Sequence, residues 1–224
     1  MKTILKTIML MLILPMNLLS QPDVPPDGAA FDTEEQMYFF RKIGQQKWLY
    51  DNINSSFLND RTKIQYIVDS VSWSQAIEPA FCSYPTGRFD HCSQGNLYNW
   101  QTVSTNKLCP LGWHVPNNAE WQELSDFAGG NEVAGGKLKL SGTDVWLVPN
   151  TAASDEYGFS MVPGGFRTET GEFVGLCRTA AYWSADELNE NTAYVWFTTY
   201  NSAYLAKDTC DKKCGLSVIC VQNK

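Results

Sequence analysis

"LCPLGWHVPNNAEWQEL", residues 108–124, holds one cysteine, two prolines, two tryptophans and one histidine within seventeen positions. Such crowding marks either the wall of an active site or the corner of a scaffold, and the choice decides the fold. Pro116 stops whatever element precedes it. Asn117 is suited to cap a helix, and Glu120 three residues later completes a capping-box pair. Trp121, Leu124 and then Phe127 or Ala128 recur at helical spacing before Gly129-Gly130 closes the run. The pattern predicts a helix of about three turns with an aromatic stripe turned inward. A functional reading makes His114 a ligand or a base between Trp113 and Trp121. General acid–base chemistry wants a partner for the histidine, and the chain has one other, His91. The structural reading is favoured: Cys109 staples the segment, the two indoles fill the core, and His114 bonds to nearby backbone.

Outward from this helix the chain reads as short strands. "AYVWFTTY" (193–200) is a strand by its aromatic and β-branched content. In "GLSVICV" (215–221) Leu216, Val218 and Cys220 share one face and Ser217, Ile219 and Val221 the other. Two apolar-leaning faces predict a strand inside the body of the fold. Residues 32–40 fit a helix or a strand equally. Turn signals recur at Gly44, Asn59-Asp60, Gly95-Asn96, Gly129-Gly130, Gly135-Gly136, Gly164-Gly165 and Gly171. No internal repeat or low-complexity tract is visible. Many short strands with one or two helices spell an α+β domain.

The chain has 224 residues, 13% aromatic and 18% charged, so it can bury a real core. Its formal charge of −7 argues against nucleic acid and against anionic lipid as partners. Lys2 and Lys6 precede an apolar run at 8–19, too short for a bilayer span of about 20 residues. Residues 1–20 are expected to be a secretory signal peptide, cut between Ser20 and Gln21. Removing Lys2 and Lys6 would take the charge from −7 to −9. A Pro-rich spacer is expected over 21–36 and a single domain over 37–224, with no membrane insertion after cleavage.

Export gives the seven cysteines a meaning, because thiols in an oxidising compartment usually pair. The odd count leaves at least one unpaired or bonded to another molecule. Pro85-Thr86-Gly87 places a turn between Cys82 and Cys92, so a local bridge between them is expected. The bridge of Cys210 and Cys214 is an open alternative to one from either of them to Cys177. Cys109 and Cys220 would close most of the domain if they were bonded.

At this point several motifs line up in order. They are "KIGQQKWLYDNI" (42–53), "FLNDRTKI" (57–64), "SWSQAIEPAFCSY" (72–84), "GNLYNWQTV" (95–103), the 108–124 stretch, "GGKLK" (135–139), "YGFSMVPGGFR" (157–167), "YWSADE" (182–187) and "GLSVICV". Together they resemble the Fibrobacter succinogenes major paralogous domain over roughly residues 38–222. The family commonly has glycine where Arg61 stands, arginine where Ile219 stands, and a double tryptophan where Tyr182-Trp183 stands. Cys92, Cys177, Cys210 and Cys214 look like additions. The resemblance implies an exported or cell-surface bacterial protein. It implies a fold distantly similar to C-type lectins and formylglycine-generating enzymes, stapled by disulfides. In those folds a cysteine before the first helix often bonds one in the last strand, which implies a Cys109–Cys220 pair. Such a fold hosts unrelated functions.

Sites must therefore supply the chemistry. There is no G-x-S-x-G, HExxH, Walker loop or EF-hand loop. Cys210-x3-Cys214 lacks the second ligand pair that zinc needs. Asp186, Glu187, Asn189, Glu190 and Asn191 crowd oxygen atoms into one loop, which suits Ca²⁺, although a solvated acidic turn is the simpler reading. Lys212 and Lys213 can lower the pKa of a thiol in "CDKKC" (210–214), although a structural bridge is simpler there too. The expectation is a non-catalytic binding or adhesion module for glycan or surface protein, with no required cofactor. An enzyme using the late cysteine pair and a structural part of a surface assembly are the alternatives.

Overall fold

The computed structural model describes residues 26–85, 92 and 94–224. The expected signal peptide, residues 21–25 of the spacer, Thr86 and Gly87 of the expected turn, and His91 lie outside the described residues. Among the described residues no helix is long and apolar enough to cross a membrane.

Strands β1 (Gly28–Phe31), β2 (Met37–Ile43) and β3 (Gln46–Leu49) run antiparallel and open the first sheet. The Asp32 carboxylate accepts the Glu34 and Gln36 backbone N–H groups and so closes the β1–β2 turn. Tyr38 turns inward and donates its hydroxyl to the same carboxylate. That pairing corrects the expected spacer, which gives way to an ordered strand at Gly28. It also decides residues 32–40: a turn, then a strand.

A small sheet follows. It is made of β4 (Gln65–Tyr66), β5 (Ala80–Cys82) and β6 (Leu97–Tyr98), with β4 parallel to β5 and β6 antiparallel to it. One-turn helices α1 (Ser70–Ser74) and α2 (Trp100–Ser104) flank it, capped by Asp69 and Asn99. Between the first sheet and the small one, Arg61 holds φ +68°. That left-handed backbone is one that glycine adopts more readily than arginine.

The opening stretch forms β7 (Trp113–His114) and α3 (Asn118–Phe127). The capping box is complete: Asn117 accepts the Glu120 N–H, and Glu120 accepts the Asn117 N–H. Trp121, Leu124 and Ala128 are buried, while Phe127 is half exposed, so Ala128 continues the inward stripe. A second helix, α4 (Asn131–Leu138), replaces the turn expected at Gly135-Gly136. These glycines serve close packing. A Cβ on Gly135 would lie 2.5 Å from the Tyr204 carbonyl oxygen, and one on Gly136 would lie 2.8 Å from that of Ala152.

The second sheet holds β8 (Gly164–Arg167), β9 (Phe173–Leu176), β10 (Thr179–Glu187), β11 (Thr192–Thr199) and β12 (Ala206–Asp211), in the order β12-β11-β10-β8-β9. Only β8 and β10 pair parallel. The last strand, β13 (Val221–Gln222), enters the first sheet between β3 and β7.

Residues 214–221 are buried throughout, as two apolar faces predict, yet only the final residue belongs to a regular strand. The segment instead stitches the sheets together. Leu216 exchanges backbone bonds with Tyr98, Trp183 donates to Ser217, Ile53 donates to Val218, and Leu49 donates to Cys220. Beneath it lies an aromatic cluster centred on Trp121. Its ring centroid is 5.1 Å from Trp48, 5.8 Å from Tyr182, 6.0 Å from Trp196 and 6.2 Å from Phe159. The opening stretch is therefore the corner of the scaffold. The architecture is mixed α+β, mostly antiparallel, with two helices of two turns or more and two of a single turn among the described residues.

Candidate functional site

The disulfides set the frame. Cys109 bonds Cys220, joining the approach to α3 to the end of the buried segment. Cys92 bonds Cys177, and Cys210 bonds Cys214. The expected local bridge from Cys82 to Cys92 is not formed. Cys82 lies inside β5, and its thiol is free and buried. A strand residue pointing into the core cannot turn back on a neighbour ten positions away, whereas Cys92 meets Cys177 at a Cα separation of 5.3 Å. Burial pushes the Cys82 thiol up to about 11, against the pull of the nearby Arg167 guanidinium, so it stays protonated and unreactive.

His114 makes side-chain bonds instead of the expected backbone ones. Its Nε2 lies 2.9 and 3.0 Å from the two Glu120 carboxylate oxygens, and its Nδ1 lies 2.7 Å from Asn223 Oδ1. Both nitrogens face acceptors, so the ring is held best when doubly protonated. The Glu120 bond raises its pKa above 6.5; burial opposes this, and the Asn223 bond adds to it. A raised folded pKa contributes stability that is complete below the ordinary value and fades as pH rises through the folded one. The thermal midpoint of the native chain is therefore expected to exceed that of His114→Gln at about pH 5.5 and to converge on it by about pH 8.5, read by scanning calorimetry.

The two loops singled out in the sequence meet at one edge of the second sheet. Lys212 forms an ion pair with Glu187 and stands 4.4 Å from the Trp100 ring centroid, while its N–H donates to the Asn191 carbonyl. Asp186 Oδ2 accepts the Asn118 N–H at 2.8 Å, which places a carboxylate at the positive end of α3. Asn189 Oδ1 accepts the N–H groups of Asn191 and Thr192 and so shapes the β10–β11 turn. Glu190 is exposed. Asp186, Glu187 and Asn189 thus each have a task within the fold. Among the described residues no three His, Cys, Asp or Glu side chains are grouped to hold a metal ion. Millimolar Ca²⁺ is expected to leave the thermal midpoint unchanged, and a rise on calcium addition would overturn that assignment of tasks.

A cavity of about 280 Å³ lies on the face of the second sheet opposite the Trp121 cluster. Along β11, Trp196 and Thr198 turn to the core, while Val195, Phe197 and Thr199 turn to the cavity. Ala181, Phe166 and Leu216 complete the apolar wall; Thr179, Thr209, Asp208 and Cys210 complete the lining. Sequence reading found the strand at 193–200 but not this groove. Its signal was the alternation of Val195, Phe197 and Thr199, an outward face too apolar for a solvated one. Close by, Lys139 is fully buried and donates its ammonium to the carbonyls of Thr199 and Ser202. Burial lowers its pKa to about 8. Its hydrogen bonds fix the turn after β11 at one end of the groove.

These features define a disulfide-stapled α+β domain with an open apolar groove on its second sheet. The Fibrobacter succinogenes major domain matches residues 42–222, and the chain belongs to that family. Neither curated proteins nor solved structures give a match.

Proposed function

We propose that this chain is an exported, non-catalytic binding module that takes a sugar ring in the groove of the second sheet. The groove lining carries the proposal. The lining is mostly apolar, with Phe166 and Phe197 offering ring surface, and Thr179, Thr199, Thr209 and Asp208 add a small polar share. A pyranose has the complementary make-up, an apolar C–H face and a hydroxyl edge. The volume suits a single ring. Three disulfides favour an oxidising compartment, in keeping with the leader read at 1–20. The C-type-lectin-like architecture is the finer reading, supported by a bridge from the entry of α3 to the last strand. The chemistry favours binding over catalysis: both His114 nitrogens are engaged, Cys82 is buried, and Cys210 and Cys214 are bonded.

A glycan array probed with the secreted chain tests this. At least one glycan is expected to bind, and Phe197→Ala is expected to weaken that binding by about tenfold or more through lost apolar contact. An array with no bound glycan overturns the sugar proposal. So does a glycan that binds Phe197→Ala as tightly as the native chain.

A further inference from the structure

We propose that the Cys210–Cys214 bridge is a redox-responsive clasp on the groove, opened by a small dithiol. The proposal rests on the reading of the groove as the ligand site. Position is the first argument. Cys210 ends the part of β12 that lines the groove, and Cys214 directly precedes Gly215 and Leu216, with Leu216 on the groove wall. The bond thus ties the edge strand to the start of the buried segment at the rim of the cavity. Access is the second. Cys92, Cys177, Cys109, Cys220 and Cys214 are all buried, at 0 to 4% exposure, whereas Cys210 is half-buried and borders a cavity, so attack comes at its sulfur. A reductant can reach one bridge without unfolding the chain.

Energetics is the third argument. Cys210 and Cys214 stand 4 apart in sequence, against 85 and 111 for the other two bridges. The chain-entropy stabilisation from closing a loop rises with loop length, so this bridge contributes least to holding the fold. Once reduced, Cys214 is held as the protonated thiol: Glu169 Oε2 lies 3.8 Å from its Sγ, placed to accept a hydrogen bond from it.

The step is thiol–disulfide exchange. A reductant thiolate attacks Cys210 Sγ, the S–S bond breaks, and Cys214 leaves with the electron pair and takes up a proton. The second thiolate of the reductant then attacks its own sulfur in the mixed disulfide. This releases Cys210, which is protonated in turn, and the reductant departs as a cyclic disulfide. Two electrons pass from reductant to protein. The ion pair of Lys212 with Glu187 still anchors the loop, so the groove loosens while the sheet persists.

The native chain is treated with dithiothreitol without denaturant, alkylated and mapped by mass spectrometry. Cys210 and Cys214 are expected to be labelled together, with the other two bridges intact and Cys82 unlabelled. Amide exchange over residues 206–216 is expected to quicken by about 30-fold, the effect of opening a loop this short. A Cys210→Ser, Cys214→Ser chain is expected to exchange at the same raised rate. A Cys210–Cys214 bond that survives as long as the other two overturns the clasp, as does exchange unchanged by its reduction. None of these readouts uses a glycan, so a silent array would remove the sugar proposal without altering the measured opening of the bridge.

Discussion

Replacing Cys109 and Cys220 together by alanine is expected to lower unfolding stability by about 4–5 kcal/mol, as the chain-entropy model gives for a loop of this length. The bridge spans 111 positions, the longest of the three. It is also buried at both ends, so the replacement leaves small voids in the core. Urea unfolding under oxidising conditions measures it. The Cys92–Cys177 bridge remains as an internal control. A loss under about 1 kcal/mol would mean that the buried segment is held by its backbone bonds alone.

Arg167→Met is expected to cost about 3–5 kcal/mol. The guanidinium is buried, 1% exposed, and is sandwiched between the Trp73 and Phe173 rings at 4.6 and 4.7 Å from their centroids. Its Nε donates to the Gly171 carbonyl, and its two terminal nitrogens donate to Ile67 and Val68. Methionine fills much of the space but leaves three carbonyls without that donor. The residues served lie before α1 and between β8 and β9, so Arg167 helps fasten the small sheet to the second one. The close approach also needs Gly215, where a Cβ would stand 2.8 Å from the Trp73 ring. Denaturant titration followed by tryptophan fluorescence reads the loss. Arg167→Lys is expected to recover less than half of it, because an ammonium cannot fork to three carbonyls and stack between two rings.

Local signals were legible wherever one short stretch fixes its own geometry. Asn117 and Glu120 cap α3 because both partners lie within one turn. The strand at 193–200 follows from its β-branched and aromatic run. The buried segment 214–221 follows from having no polar face, although its pairing with three sheets is invisible in its own residues. Gly135-Gly136 misled, because a glycine kept for packing against Tyr204 and Ala152 looks the same in sequence as one kept for a turn. Cys82 misled for a related reason. Spacing to Cys92 suggested a bridge, but β5 directs that side chain into the core. The acidic loop and "CDKKC" stood out separately, and only folding made Lys212 the partner of Glu187.

Alone, the sequence determined the family, the α+β class, the capped helix and the aromatic stock of the core, because these depend on neighbours a few positions apart and on a specific order of motifs. Tertiary structure decided which sulfurs meet, which carboxylates are spent on helix ends and lysines, and that Val195, Phe197 and Thr199 line a groove with Phe166 and Leu216. Those facts depend on residues tens of positions apart being brought within a few ångströms. Only the second sheet, packed on α3 and sewn by residues 214–221, does that.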